Sequence, residues 1–172
     1  MGRTKGWIAT YAGIAAGADA ILVPELETNL EEVADTIRAR HRRGRTYSIV
    51  VVAEGCTPPG GTAIISGVDA FGFERLGGVG YVFGAELERL TGFETRVTVL
   101  GHLQRGGSPT AFDRVLATRF GVAATDLAAA GRFGEMAALR GMEVVGVPLA
   151  EACADIRGVD PALLDVARTF FG

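Results

Sequence analysis

Apolar side chains recur every three or four residues in some segments of this chain and run continuously in others, a pattern that predicts helices and buried strands in turn. Over residues 7–16, Trp7, Ile8, Tyr11, Ala12 and Ala15 share one helical face, and Gly17 is placed to end the helix. The run AILVP that follows reads as a short buried strand. Thr28 with Glu31, or Asn29 with Glu32, offers a cap and acid for a second helix. Its inward face is Leu30, Val33, Ala34 and Ile37, and it ends at Gly44. Residues 47–53, YSIVVVA, form a continuous β-branched run, as in a strand covered on both faces and so in a parallel sheet. Helix and strand alternate, which makes the class α/β.

Residues 55–79 interrupt this rhythm with CTPPGGT and FERLGGVG, a long loop or hairpin excursion. A helix resumes at 79–91 with Val79, Val82, Phe83, Leu87 and Leu90 in register, closed by Gly92. ETRVTVL reads as a strand, and LGHLQRGGSPT as a turn-rich loop before the next helix. That helix, 111–130, has Phe112, Val115, Leu116, Phe120, Ala123, Ala124 and Leu127 as its expected core face. A strand near 143–147 and a helix at 161–170 complete the reading.

Composition narrows the class. Of 172 residues, 25 are glycine, about twice the usual share, yet no G-X-Y period exists and aliphatic residues are plentiful, which excludes collagen and disorder. The glycines are therefore local devices. A net charge of −3 argues against a general nucleic-acid binder. Cys56 and Cys153 have no CxxC spacing and suit a reducing cytoplasm, the expected location. Arg3 and Lys5 before an apolar stretch imitate a secretory leader, but Thr10, Tyr11 and two glycines dilute that stretch. No apolar run approaches the roughly 18 residues of a membrane span.

Three segments put polar residues where a strand-loop-helix pattern would place a pocket: Met1-Gly2-Arg3 before the first helix, Glu54 after the second strand, and Arg96 with the loop holding His102 and Arg105. Arginines, a histidine and one carboxylate suit a small phosphorylated polyol, since guanidinium forks hold phosphate and a carboxylate accepts sugar hydroxyls. Each residue also has a plainer reading: Arg3 solvated, Glu54 a surface acid or cap, His102 a structural histidine. A basic run, Arg38, Arg40, His41, Arg42, Arg43 and Arg45, reads first as a helix C-terminus whose cations complement the dipole.

MGRTKGWIA, VVVAEG and ETRVTVLGHLQRGGSPTAFDR, followed by LATRFGVAA, resemble the C-terminal half of the 6-phosphofructokinases. The resemblance implies a three-layer αβα fold around a mainly parallel sheet. It also implies phosphoryl transfer from ATP or pyrophosphate to the 1-hydroxyl of fructose 6-phosphate, a glycolytic step needing Mg²⁺. Met1, Gly2, Arg3, Glu54, His102 and Arg105 match the family's sugar-phosphate ligands, and Arg96 matches an arginine that serves a neighbouring subunit of a homo-oligomer. Asp19, Arg43 and Arg45 match an effector phosphate site. The family's donor loop, metal ligands and catalytic base belong to its N-terminal half, so no catalytic or metal-ligating residue is expected in this chain. The expectation is a portion shortened at the N-terminus, with Met1 an internal methionine of a longer frame. Residues 1–108 would form the fructose 6-phosphate-binding domain, 109–157 would pack on the donor-binding domain, and 158–172 would form the C-terminal helix. The alternative is a non-catalytic sugar-phosphate-binding or oligomerisation piece.

Overall fold

The computed structural model describes residues 4–58, 61, 65–68, 74–76 and 78–169. Its first helix, α1 (Trp7–Ala16), is stopped by Gly17 at φ +64°, a left-handed conformation that glycine adopts without penalty. The chain then enters β1 (Ala20–Leu22), which pairs in parallel with β2 (Val50–Val52), Ile21 opposite Val51. Between them runs α2 (Leu30–Arg42), capped by Asn29, whose side-chain oxygen accepts from the amides of Glu31 and Glu32. The β1–α2–β2 unit confirms the α/β class and the parallel pairing.

The face that α1 buries differs from expectation. Ala9, Thr10 and Gly13 point inward, while Ile8, Tyr11, Ala12 and Ala15 lie on the surface. The reason is distance. A Cβ on Gly13 would stand 2.5 Å from Ile21 Cδ1, and one on Gly6 2.4 Å from Val23 Cγ1, so at these two points the chain lies too close to β1 for a side chain. Trp7, of the expected face, and Ile14 still pack against the core, partly buried at its edge.

In the 55–79 excursion, β3 (Ile65–Val68) and β4 (Glu74–Leu76) form an antiparallel pair. Next comes α3 (Val79–Thr91), which buries Val79, Phe83, Gly84 and Leu87, with Leu90 partly buried beside them. The expected strand 94–100 joins no ladder among the described residues. Its period of two survives nonetheless: Phe93, Thr95 and Val97 are half-buried while Glu94, Arg96 and Thr98 are exposed. Thr95 and Val97 pack on α3, where a Cβ on Gly84 would approach Val97 Cγ2 to 2.7 Å. Alternating side chains can pack on a helix without a ladder, but a strand requires a neighbouring edge to pair with.

A 3₁₀ turn (Gly101–Arg105) precedes α4 (Ala111–Ala129), which opens with a capping box. The Thr110 hydroxyl accepts from the Asp113 amide, and the Asp113 carboxylate accepts from the amide and hydroxyl of Thr110, both at 2.8 Å, which holds that carboxyl below its ordinary range. A hairpin follows, β5 (Glu135–Arg140) with β6 (Glu143–Pro148), then the short α5 (Leu149–Ala152). β5 and α5 escaped the sequence reading. Finally α6 (Pro161–Arg168), capped by Asp160, buries Leu164 and Ala167.

Contacts divide the chain into two compact units: Met1–Gln104 with Gly158–Gly172, and Arg105–Arg157. The first holds the core, with Ile21, Leu22, Val23, Leu30, Val33, Phe83 and Leu87 buried together. In the second, α4 lies against the β5–β6 hairpin. Of its expected core face, Leu116, Phe120, Ala123 and Leu127 are at least half covered, whereas Phe112, Val115 and Ala124 are exposed. A two-stranded hairpin covers one stripe of a helix and leaves the flanking residues bare.

Candidate functional site

In a parallel strand pair the carboxyl ends open onto the loops that bind ligands. At that end of β2, Ala53 N–H donates to Leu22 O and the chain turns, leaving Glu54 exposed beyond the edge. The N-terminus of α1 reaches the same end, because Gly6, its N-cap, packs on Val23 just beyond β1. Met1, Gly2 and Arg3 lie outside the described residues; Gly6 is three positions further along the chain.

A helix N-terminus at this place was expected to favour an anion, and it has one. The Gly6 N–H donates to both carboxylate oxygens of Glu25, 3.0 Å to each. Glu25 Oε1 also accepts from the amide of Val159 at 3.1 Å. Sequence reasoning missed this residue. Its one signal was an acid directly after the Val23-Pro24 strand end, which any surface loop could carry. Beside it lies the buried thiol of Cys56, pushed up to about 12, first by burial and further by the Glu25 charge, against a lowering by the Ala53 backbone.

Arg96 is 87% exposed and pairs with Glu94 at 3.0 Å, in the extended segment that joins no ladder. Its sequence-based place on a strand is therefore corrected: it projects from a segment laid along α3. His102 is exposed within the 3₁₀ turn, where Gly101 adopts φ +52° and Gly107, just beyond, φ +101°. Arg105 closes that turn, and its side chain lies outside the described part. Among the described residues no hydrogen bond or ion pair joins Glu54, Arg96 and His102. Each is exposed.

Asp19, Arg43 and Arg45 sit at the opposite, amino end of β1 and β2. The Asp19 carboxylate is buried and already engaged: it pairs with Arg40 at 2.8 Å and accepts from the Ile49 amide at 2.8 Å. Arg43 caps α2, and Arg45, also exposed, returns its amide to Arg40 O. The remaining basic run is spread over separate tasks. Arg38 donates to Leu90 O at the end of α3 and pairs with Asp35, while the His41 ring lies 4.5 Å from that of Phe93.

A broad groove of about 930 Å³ runs between the β1–α2 loop and α3. Glu25, Glu27, Glu31, Glu32 and Glu86 line it, so its field repels a phosphate. The expected sugar-phosphate residues are elsewhere. No helix among the described residues is long and apolar enough to cross a membrane.

The phosphofructokinase family model matches residues 1–128. The chain belongs to the phosphofructokinase family. It is 53% identical over 161 residues to the ATP-dependent 6-phosphofructokinase of Chloroflexus aggregans, covering 94% of this chain and 44% of that one. It is 49% identical over 175 residues to the pyrophosphate–fructose 6-phosphate 1-phosphotransferase of Streptomyces coelicolor, covering 100% of this chain and 51% of that one. The chain thus spans about half the length of the curated relatives it matches. The crystal structure of a pyrophosphate-dependent phosphofructokinase from Marinobacter aquaeolei shares the fold, with a TM-score of 0.69 at 22% identity over 100% of this chain and 46% of that one. Family membership brings Mg²⁺ into question. Among the described residues no three carboxylate, imidazole or thiol groups converge as a metal would require.

Proposed function

We propose that this chain supplies the fructose 6-phosphate side of a cytoplasmic 6-phosphofructokinase. In the reaction the 1-hydroxyl oxygen of fructose 6-phosphate bonds to the terminal phosphorus of ATP or pyrophosphate. The bond from that phosphorus to ADP or phosphate breaks, and the hydroxyl proton passes to a base in the donor-binding half. Such transfers depend mainly on positioning and charge neutralisation. The residues of this chain therefore act by holding the acceptor. Arg105 and His102 bind the sugar phosphate together with Met1, Gly2 and Arg3, and Glu54 accepts from sugar hydroxyls. The exposed Arg96 serves the 6-phosphate in a neighbouring subunit of a homo-oligomer. Any Mg²⁺ that helps to neutralise the transferring phosphates would be held by ligands in the donor-binding half. Arg43 and Arg45 offer cations to an effector phosphate, which senses Asp19 only through its pair with Arg40. The segment 109–157 packs on the donor-binding domain, and the bare Phe112 and Val115 suit that role.

The observation that carries this reading is sequence identity of about half, sustained along 94–100% of the chain, with enzymes so named. Titration calorimetry of the 172-residue chain with fructose 6-phosphate tests it. Binding is expected, and Arg105→Ala should abolish it. A cooperatively folded chain that gives no heat overturns the reading, and unchanged affinity in Arg105→Ala overturns the residue assignment.

A further inference from the structure

Glu25 draws together three stretches that are remote in sequence. Its partners Gly6 and Val159 lie 19 and 134 positions away. A fourth contact closes the cluster, since a Cβ on Gly158 would meet Glu25 Cγ at 3.4 Å, with Lys5 Nζ 3.9 Å from the same point. The carboxylate stands on a firm base: Val23 is 2% exposed, and Pro24 restricts the backbone between them.

Residue 6 is held from every side. Its amide goes to Glu25, its carbonyl accepts from the amide and hydroxyl of the fully buried Thr10, both at 2.9 Å, and Val23 occupies the space a side chain would need. Arg3 is three residues along the chain, within about 10 Å of contour at roughly 3.3–3.6 Å per residue. On the other side, Val159 is two residues past Arg157, where the 105–157 unit ends, and it leads into α6, whose Leu164 and Ala167 sit in the core. One carboxylate therefore bonds both Gly6, just past the proposed substrate segment, and the re-entry of the chain from the second unit.

A carboxylate at a helix N-terminus would by itself be a modest stabiliser, about 0.3–1 kcal/mol. The shared bond to Val159 is not needed for that. We propose that Glu25 is a positioning residue that couples these two points: it fixes Gly6, three residues after Arg3, for sugar-phosphate binding and passes to Gly6 any displacement of the chain at 158–159. The substrate part of this inference rests on the reading given under Proposed function; the coupling of Gly6 to Val159 does not.

Two variants of the 172-residue chain test it, Glu25→Gln and Val159→Pro. The first removes the charge at nearly constant shape; the second deletes the donated N–H while leaving Glu25 in place. Hydrogen exchange is read at the Gly6 amide without ligand, and fructose 6-phosphate affinity by calorimetry well below each melting temperature. Both variants should accelerate Gly6 exchange. Affinity should fall about tenfold in Glu25→Gln, the loss expected for a hydrogen bond to a charged group, and roughly threefold in Val159→Pro. A merely structural role would lower the melting temperature and leave the affinity of the folded protein unchanged. That result, in a chain whose wild type binds, overturns the proposal and spares the function. A wild type that folds without binding overturns the function and the substrate part; Gly6 exchange unmoved by Val159→Pro then overturns the coupling as well. Should Glu25→Gln not fold, Glu25→Asp, which keeps the charge but is too short to reach both amides, is read in the same two ways.

Discussion

The unit formed by Met1–Gln104 and Gly158–Gly172 encloses Phe83, 1% exposed, within a cluster drawn from α1, β1, α2, α3 and α6, whereas Arg105–Arg157 has only Leu127 and Val147 as buried apolar side chains among its described residues. Yet α4 is the longest described helix and is well capped, and the hairpin beneath it pairs six residues of each strand. Regular helices and paired strands thus form in both units, but only the first has built a large core. Phe133 in the second is 82% exposed and Met142 76%. Local structure needs only its own residues; a core requires several elements around one centre. Its exposed apolar side chains are consistent with the role proposed for it.

The comparison can be broken by truncating one buried side chain in each unit. Phe83→Ala should cost about 3–5 kcal/mol in chemical denaturation. Leu127→Ala should leave that transition unmoved and loosen only amides of 105–157 in hydrogen exchange; equal shifts in the main transition would mean the two units share one core. Arg40→Ala comes next, at about 3 kcal/mol, because it strands the buried Asp19 carboxylate without its cation. Replacing both, as Asp19→Asn with Arg40→Met, should recover most of that loss.

The two cysteines offer the finest probe, one in each unit. Cys153 is exposed and should react with a thiol reagent at once, while buried Cys56 should react only when the first unit opens. The Cys56 thiol is raised from 9.0 to about 12 in the folded chain, so its contribution to stability is complete below about pH 9 and is lost as pH climbs towards 12. Over that window the unfolded chain gives up the proton first, and stability should fall by about 1.4 kcal/mol per pH unit. Cys56→Ala should flatten that part of the urea midpoint against pH; an unchanged slope would show that burial of the thiol is not its cause.

Much of this was legible beforehand, for reasons that particular residues make plain. The start of α2 was readable because Asn29 with Glu32 is a local signal, and its end because Gly44 follows a basic last turn. The stops of α1 and α3 at Gly17 and Gly92 were equally local. The inner face of α1 was not, because the decisive quantity is the separation between α1 and β1, and a sequence does not contain distances. Val97 was readable as inward-facing in an alternating run, but not as resting on Gly84 in place of a neighbouring strand. Among the expected site residues, Glu54 does lie just past a parallel strand, as its sequence position implied. Glu25 was invisible because its partners are Gly6 and Val159, two amides with no side-chain signature.

The amino-acid order alone determined the α/β alternation, the limits of the longer helices and the family, since capping, helical period and a long motif are properties of neighbours along the chain. Tertiary structure decided which side of α1 is buried, that Asp19 is committed to Arg40, that the described residues of 105–157 bury only Leu127 and Val147 as apolar side chains, and that one carboxylate joins the two chain segments of the first unit. Those facts turn on contacts across many residues, where the packing of one surface on another selects among side chains that the local pattern treats as equal.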